Sequence, residues 1–260
     1  MEREGKGKVY IAGAGPCDPE LITLKLYRIL KAADVILYDH LVNPRILDEA
    51  KSDAEKIYVG KMCGKHSVSQ DEINALLVDK AKEGRLVLRL KGGDPLIFGR
   101  VGEEMRALDD AGVDYEIIPG ITASSAAASA AKVPLTHRDF ASTVTFVTGH
   151  RKKGMPLDLP FSHLAALNGT LVFYMAVSTV SEVAESLIRE GMNENTPVLV
   201  AYRAGCEDER YLKTTLRLLP EVVRREKIAS PAVFIVGQVV EMSPSSSFLF
   251  SSNPGLPRRP

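Results

Sequence analysis

With 260 residues, 45% of them hydrophobic and 25% charged, and with 33 Lys plus Arg against 33 Asp plus Glu, the chain reads as a soluble globular protein of two modest α/β lobes. Its balanced charge excludes a global pull toward nucleic acid or a membrane, and a chain of this length buries roughly three quarters of its unfolded surface without needing a metal or a disulfide. Cys17, Cys63 and Cys206 are odd in number and widely spaced, the charged start Met1 to Lys8 has no apolar signal core, and no stretch is long enough to span a bilayer, so reduced thiols in a cytoplasmic protein are expected.

Along the first two thirds, short apolar runs alternate with amphipathic stretches. Strands are predicted at Val9 to Ala12, Val35 to Tyr38, Lys56 to Val59, Leu86 to Leu90 and Tyr115 to Ile118. Between them, helices are predicted at Glu20 to Ala33, Ser69 to Gly84 and Gly102 to Ala111, followed by a small-residue helix at Thr122 to Ala131. Ser69 and Glu72 have the spacing of a capping box, and Gly84 supplies a stop. Strands separated by helices predict a mostly parallel sheet flanked by helices.

Val133 to Asp139 breaks the rhythm, which places a lobe boundary after residue 135. The second lobe, 136–242, carries predicted strands at Thr143 to Thr148, Thr170 to Met175, Pro197 to Tyr202, Glu209 to Thr215 and Ala232 to Val240. Its helices lie near Ser178 to Glu190 and Leu216 to Lys227, giving a mixed-sheet α/β lobe. Residues 243–260, rich in Ser, Pro and Arg, read as a disordered tail.

Five strands of the first lobe end in unusual loops: Gly13 to Pro19, Asp39-His40, Gly60-Lys61, Lys91 to Pro95 and Pro119 to Thr122. In a parallel sheet these ends share one edge, where ligands bind. Gly13-x-Gly15 with Asp39 on the next strand is the start of a dinucleotide fingerprint, but it breaks. Position 18 is Asp18, and Pro16 removes a backbone N–H where a pyrophosphate needs donors. A phosphate-free cofactor such as S-adenosylmethionine suits the crevice better, because Asp94 and glycine-flanked carbonyls can face its sulfonium while backbone N–H groups face its carboxylate.

The runs Gly13-Ala14-Gly15-Pro16, Tyr38 to Val42, Val59-Gly60-Lys61, Arg89 to Arg100, Pro119 to Ala123, Pro134 to Asp139, Phe173-Tyr174-Met175 and Ser230-Pro231-Ala232 resemble the tetrapyrrole methylases. The uroporphyrinogen-III C-methyltransferase branch is the nearest pattern, over about residues 8–242. The resemblance implies a two-lobed fold and a homodimer. It also implies methyl transfer from S-adenosylmethionine to two ring carbons of uroporphyrinogen III, giving precorrin-2 by way of precorrin-1 for sirohaem and cobalamin synthesis, with S-adenosylhomocysteine as by-product and no metal. A related methylase of a later corrin precursor is the alternative. Carried over position by position, the cofactor contacts are Pro16, Gly92, Gly93, Asp94, Ile97, Thr122, Ala123, Met175, Ala204 and Ala232. Asp39 and Lys61 match the proposed proton acceptor and donor. Cys17, Ala176 and Ala204 depart from positions where glycine is common.

Several of these residues have ordinary readings too. Asp39 can equally cap a turn before the helix Pro44 to Ala50, and Asp94 can cap the Gly-Gly-Asp-Pro turn. Lys61 can be a solvated surface lysine, and Met175 can be core. An octa-carboxylate substrate calls for cations, for which Arg100, His137 and Arg138 are the first candidates and Lys65, His66, Arg89, His150 and Arg151 further ones. The basic run His137 to Lys153 is either that binding surface or a solvated hinge.

Overall fold

The computed structural model describes residues 7–60, 68–150, 155, 157–243 and 248–250, which fall into two compact units, 1–123 and 124–260. The first unit holds β1 (Lys8–Gly13), α1 (Leu24–Leu30), β2 (Val35–Tyr38), β3 (Glu55–Tyr58), α2 (Gln70–Lys82), β4 (Leu86–Lys91), α3 (Val101–Asp110) and β5 (Asp114–Ile118). Its five strands run parallel in the order β3-β2-β4-β1-β5.

Strand parity divides the core. Leu88 and Leu90 face Leu26 and Leu30 of α1 and the short helical turn Pro44–Glu49, while Val87 faces Ile73 and Leu77 of α2 and Leu108 of α3. A sheet covered on both faces needs near-continuous apolar strands, and β1, β2 and β4 supply them. The capping box forms at α2: Ser69 Oγ accepts from Glu72 N (3.2 Å), and Glu72 Oε2 accepts from Ser69 N (2.6 Å).

The helix expected over Glu20 to Ala33 divides in two. Asp18 Oδ1 accepts from Glu20 N and caps a turn at Pro19–Leu21, and Thr23 Oγ1 accepts from Leu26 N and starts α1 afresh. Two side-chain caps within six residues outcompete a continuous helix.

The second unit takes in most of α4 (Ala123–Ala131), then β6 (Val144–Thr148), α5 (Phe161–Ala166), β7 (Thr170–Tyr174), α6 (Val180–Arg189), β8 (Pro197–Tyr202), β9 (Arg210–Thr215), α7 (Leu219–Arg225), β10 (Ala232–Val236) and β11 (Phe248–Phe250). The sheet order is β11-β9-β8-β10-β7-β6, with β6 and β7 parallel and the other pairs antiparallel, so this sheet is mixed as expected. Val183 and Leu187 of α6 and Leu219 and Val223 of α7 pack on Phe173, Val200 and Phe234.

Other features differ from the expectations as well. β10 stops at Val236 because Gly237 takes φ +148 and turns the chain into Gln238–Met242. Phe248–Phe250, inside the expected tail, pairs with β9. Cys17 and Cys206 are each disulfide-bonded, which corrects the expectation of reduced thiols for these two, while Cys63 lies outside the described residues; wide spacing in sequence does not prevent cysteines from pairing after folding. Among the described residues no helix is long and apolar enough to cross a membrane.

Candidate functional site

Because β1 to β5 are parallel, all five strand-end loops leave from one edge of the first sheet, with β4 lying between β1 and β2. The β1 and β4 loops are joined by a two-way bridge: Gly15 N donates to Gly93 O (3.2 Å) and Gly93 N to Gly15 O (2.8 Å), next to Ala14 N donating to Lys91 O (2.7 Å). A Cβ at Gly13 would lie 2.4 Å from Gly93 O, and one at Gly120 2.2 Å from the same oxygen. These two glycines therefore serve the close packing of loops. Gly93 differs: its φ is +68 and a Cβ there would meet nothing within 4 Å, so its outer side is open.

Asp94 takes its turn role and adds a second. Its Oδ1 accepts from Leu96 N (2.7 Å), and its Oδ2 accepts from Gly120 N (3.1 Å), tying the β4 loop to the β5 loop. Ile97 N closes the turn on Asp94 O (3.2 Å). Beyond it, Phe98 and Arg100 hold left-handed backbone at φ 54 and 56. Such geometry at non-glycine residues costs about 1–3 kcal/mol each and persists where the surroundings impose it, often at functional sites. Asn43 Nδ2 donates to Cys17 O (2.7 Å) and joins the β1 and β2 loops. Pro16 is buried in this packing, while Thr122 and Ala123 are half-buried at the end of the β5 loop.

Asp39 caps its own turn, Oδ1 accepting from Leu41 N (3.0 Å), while Oδ2 lies 3.6 Å from Arg89 Nη2. Below it sits a buried charge cluster. Arg89, Lys91 and Glu104 are 4%, 5% and 0% exposed. Glu104 Oε1 accepts from Arg89 Nε (3.1 Å) and Lys91 Nζ (2.7 Å). Burial, and then the charge of Arg89, push the Lys91 ammonium below its usual pKa. Glu104 Oε2 has no hydrogen-bond partner, an omission that costs about 1–3 kcal/mol in a buried group.

Arg89 is thus not presented to a substrate, which corrects its candidacy. Residues 87, 89 and 91 point to the helix α2–α3 face of the sheet, and Glu104 pairs with both cations there. The charge roles of Lys91 and Glu104 are not among those the sequence singles out. Their signal was there: Glu104 falls with Val101 and Leu108 on the buried stripe of α3.

Arg100 has a partner of its own, pairing bidentately with Glu103 (2.9 and 2.6 Å); this hydrogen bond raises the arginine pKa and lowers that of Glu103. Lys61, Lys65, His66 and Arg151 lie outside the described residues.

In the second unit, β10 runs antiparallel to both neighbours, pairing Ala232 with Tyr202 and Val233 with Tyr174. The start of β10 therefore lies beside the ends of β7 and β8, and Met175, Ala204 and Ala232 share one end of this sheet. Met175 and Arg203, each directly after a strand, are left-handed at φ 53 and 51, and Met175 is 45% exposed. That exposure sets aside its reading as a core residue. Arg203 N donates to Pro231 O (3.0 Å). Glu209 Oε2 accepts from Gly205 N (2.7 Å) and Tyr211 Oη (2.6 Å), steadying the loop that carries Ala204; burial, then Glu209, push the Tyr211 phenol up. His137 stacks on Phe140 (4.8 Å between ring centres) and its Nδ1 accepts from Asp139 N (3.1 Å), while Arg138 and His150 are exposed. Among the described residues no group of three or more His, Cys, Asp or Glu could hold a metal ion.

The family model for Tetrapyrrole (Corrin/Porphyrin) Methylases matches residues 8–220. Siroheme synthase of Pseudomonas entomophila (strain L48) is 48% identical over 236 residues, 91% of this chain and 51% of that protein. Siroheme synthase of Chromobacterium violaceum is 47% identical over 242 residues, 93% of this chain and 51% of that protein. The chain spans about half the length of these curated relatives. A crystal structure of uroporphyrin-III C-methyl transferase from Thermus thermophilus, complexed with S-adenyl homocysteine, matches with a TM-score of 0.77 at 41% identity, covering 90% of this chain and 99% of that one. A structure of cobalt precorrin-4 methyltransferase matches with a TM-score of 0.80 at 34% identity, covering 90% and 95%.

Proposed function

The chain belongs to the tetrapyrrole (corrin/porphyrin) methylases, and from that premise we propose that it transfers methyl groups from S-adenosylmethionine to two ring carbons of uroporphyrinogen III, giving precorrin-2 by way of precorrin-1. The observation that carries the reading is the interlocked set of strand-end loops, with Gly93 open on its outer side and Asp39 at the same edge. A similar protein with the same overall fold is complexed with S-adenyl homocysteine. Pro16 and Asp18 argue against phosphates at these loops, and they leave no obstacle to a phosphate-free cofactor.

By position-by-position resemblance to the family, the cofactor contacts are assigned to Pro16, Gly92, Gly93, Asp94, Ile97, Thr122, Ala123, Met175, Ala204 and Ala232. The cofactor supplies an electrophilic methyl on sulfonium sulfur. An enamine-like ring carbon of the substrate would accept that methyl with loss of the S–C bond, a transfer that needs no Lewis acid. The protein's part is to align carbon, methyl and sulfur, which is worth about 7–11 kcal/mol. Asp39 then accepts the proton that the methylated ring loses, a contribution of about 10²–10⁴-fold. Lys61, the position matching the family's proton donor, would return a proton to the substrate or pair with one of its carboxylates. Arg100, exchanging its Glu103 partner, and His137 and Arg138 receive substrate carboxylates.

The test is conversion of uroporphyrinogen III under reducing conditions without added metal. Mass spectrometry is expected to find a product heavier by two methyl groups, and an unchanged substrate mass would refute the proposal. The likeness to cobalt precorrin-4 methyltransferase favours a second reading, a later corrin precursor as substrate. The higher identity to the uroporphyrin-III enzyme favours the first.

A further inference from the structure

We propose that Glu104 is a positioning residue for Asp39, acting through Arg89. The inference rests on the reading of Asp39 as proton acceptor. Glu104 lies in the first turn of α3 and is fully buried. Three donors converge on its Oε1: Arg89 Nε (3.1 Å), Lys91 Nζ (2.7 Å) and Gln70 Nε2 (3.4 Å). Arg89 Nη1 also donates to Leu90 O (3.0 Å). A planar guanidinium fixed at Nε and Nη1 has no remaining freedom of rotation. Its third nitrogen, Nη2, is thereby held 3.6 Å from Asp39 Oδ2. The other Asp39 oxygen is held by Leu41 N (3.0 Å). The carboxylate is thus oriented from two sides, by a turn on one and by the buried cluster on the other.

The charges also balance. Arg89 and Lys91 supply two positive charges, and Glu104 and Asp39 two negative ones. Loss of the Glu104 charge leaves Asp39 as the nearest counter-charge for two buried cations, and both are then drawn to it. A stability role explains this cluster poorly, because well-packed apolar residues replace buried ion groups at no loss or with a gain. The unpartnered Oε2 points the same way: the site keeps a carboxylate that the packing alone does not satisfy. Residues 89 and 91 lie on the strand whose loop carries Gly92, Gly93 and Asp94, so the cluster is anchored on the most central of the site-bearing strands.

The experiment compares the full chain with Glu104→Gln and Arg89→Lys in steady-state methylation of uroporphyrinogen III, with cofactor affinity from calorimetry and folding from thermal melts. Glu104→Gln is expected to bind S-adenosylmethionine within roughly threefold of the wild type while its kcat falls by about tenfold or more, the pattern of a lost transition-state interaction. Folded Glu104→Gln with wild-type kcat overturns the proposal. So does a kcat loss matched by an equal loss of cofactor affinity, which marks a purely structural role. Should Glu104→Gln not fold, Arg89→Lys decides. It keeps every charge of the cluster but lacks the fork that reaches Glu104 and Asp39 together, so kcat is again expected to fall, and wild-type kcat overturns the proposal. A wild type that leaves uroporphyrinogen III unmethylated overturns the functional reading and this inference with it. An active wild type with unchanged variants overturns this inference alone.

Discussion

Asp94 commits both carboxylate oxygens to backbone N–H groups, those of Leu96 (2.7 Å) and Gly120 (3.1 Å). Truncation to alanine strands two donors at about 1–3 kcal/mol each where they are buried, and it frees the β4 loop from the β5 loop. Asp94→Ala is therefore expected to weaken S-adenosylmethionine binding by about tenfold or more, since roughly 1.4 kcal/mol corresponds to a factor of ten; calorimetry returning wild-type affinity would contradict this. The turn role of Asp94 was legible in the Gly-Gly-Asp-Pro run, whereas its bond to Gly120 N, twenty-six positions on, was not. Asp39 was legible both as a turn cap and as an edge carboxylate. Arg89 was not legible. Charge alone assigns an arginine to an acidic substrate, whereas its strand parity and a glutamate fifteen positions on send it into the core. Pairings of that kind depend on how a helix lies on a sheet, which local patterns do not encode.

At the scale of elements, the glycines of the site fall into two kinds. Gly13 and Gly120 make room for the Gly93 carbonyl, and Gly93 itself supplies a left-handed backbone. Gly120→Ala places a Cβ 2.2 Å from that oxygen and must push the loops apart. Overpacking of this sort costs about 1–3 kcal/mol, and each kcal/mol lowers the melting temperature of a chain near this size by about 2–4 °C. Gly102→Ala is the control, since a Cβ there meets nothing within 4 Å in the first turn of α3. A helical Gly→Ala change stabilises by roughly 0.5–1 kcal/mol, so its melting temperature should hold or rise. Equal melts for the two variants would remove the packing argument. Most strands and the α2 capping box could be read from apolar runs and cap residues. The division at Thr23 and the end of β10 at Gly237 could not, because each turns on one hydrogen bond or one dihedral angle.

For the molecule as a whole, the first sheet is parallel and the second mixed, as the alternation of patterns indicated. The boundary moved. Pro134-Leu135-Thr136 breaks the composition, yet α4 from Ser124 onward belongs with the second unit. Two hydrogen bonds hold it there: Ser124 N donates to Tyr174 Oη (3.2 Å) and Ser243 Oγ to Ala131 O (3.0 Å). Both join residues far apart in the chain, so no local pattern announces them. The homodimer implied by the family resemblance predicts a light-scattering mass twice that of the chain, and a monomer mass at working concentration would refute it.

The backbone bridge between Gly15 and Gly93, with Asp94 held to Gly120 and Asn43 to Cys17, has a consequence for how such a protein can diversify. An insertion or deletion in any one of these loops would break the fit of its neighbours, so the first, second, fourth and fifth strand ends can change only as a block. Descendants of this architecture that take up new substrates must therefore vary elsewhere and inherit the glycine-lined floor nearly intact.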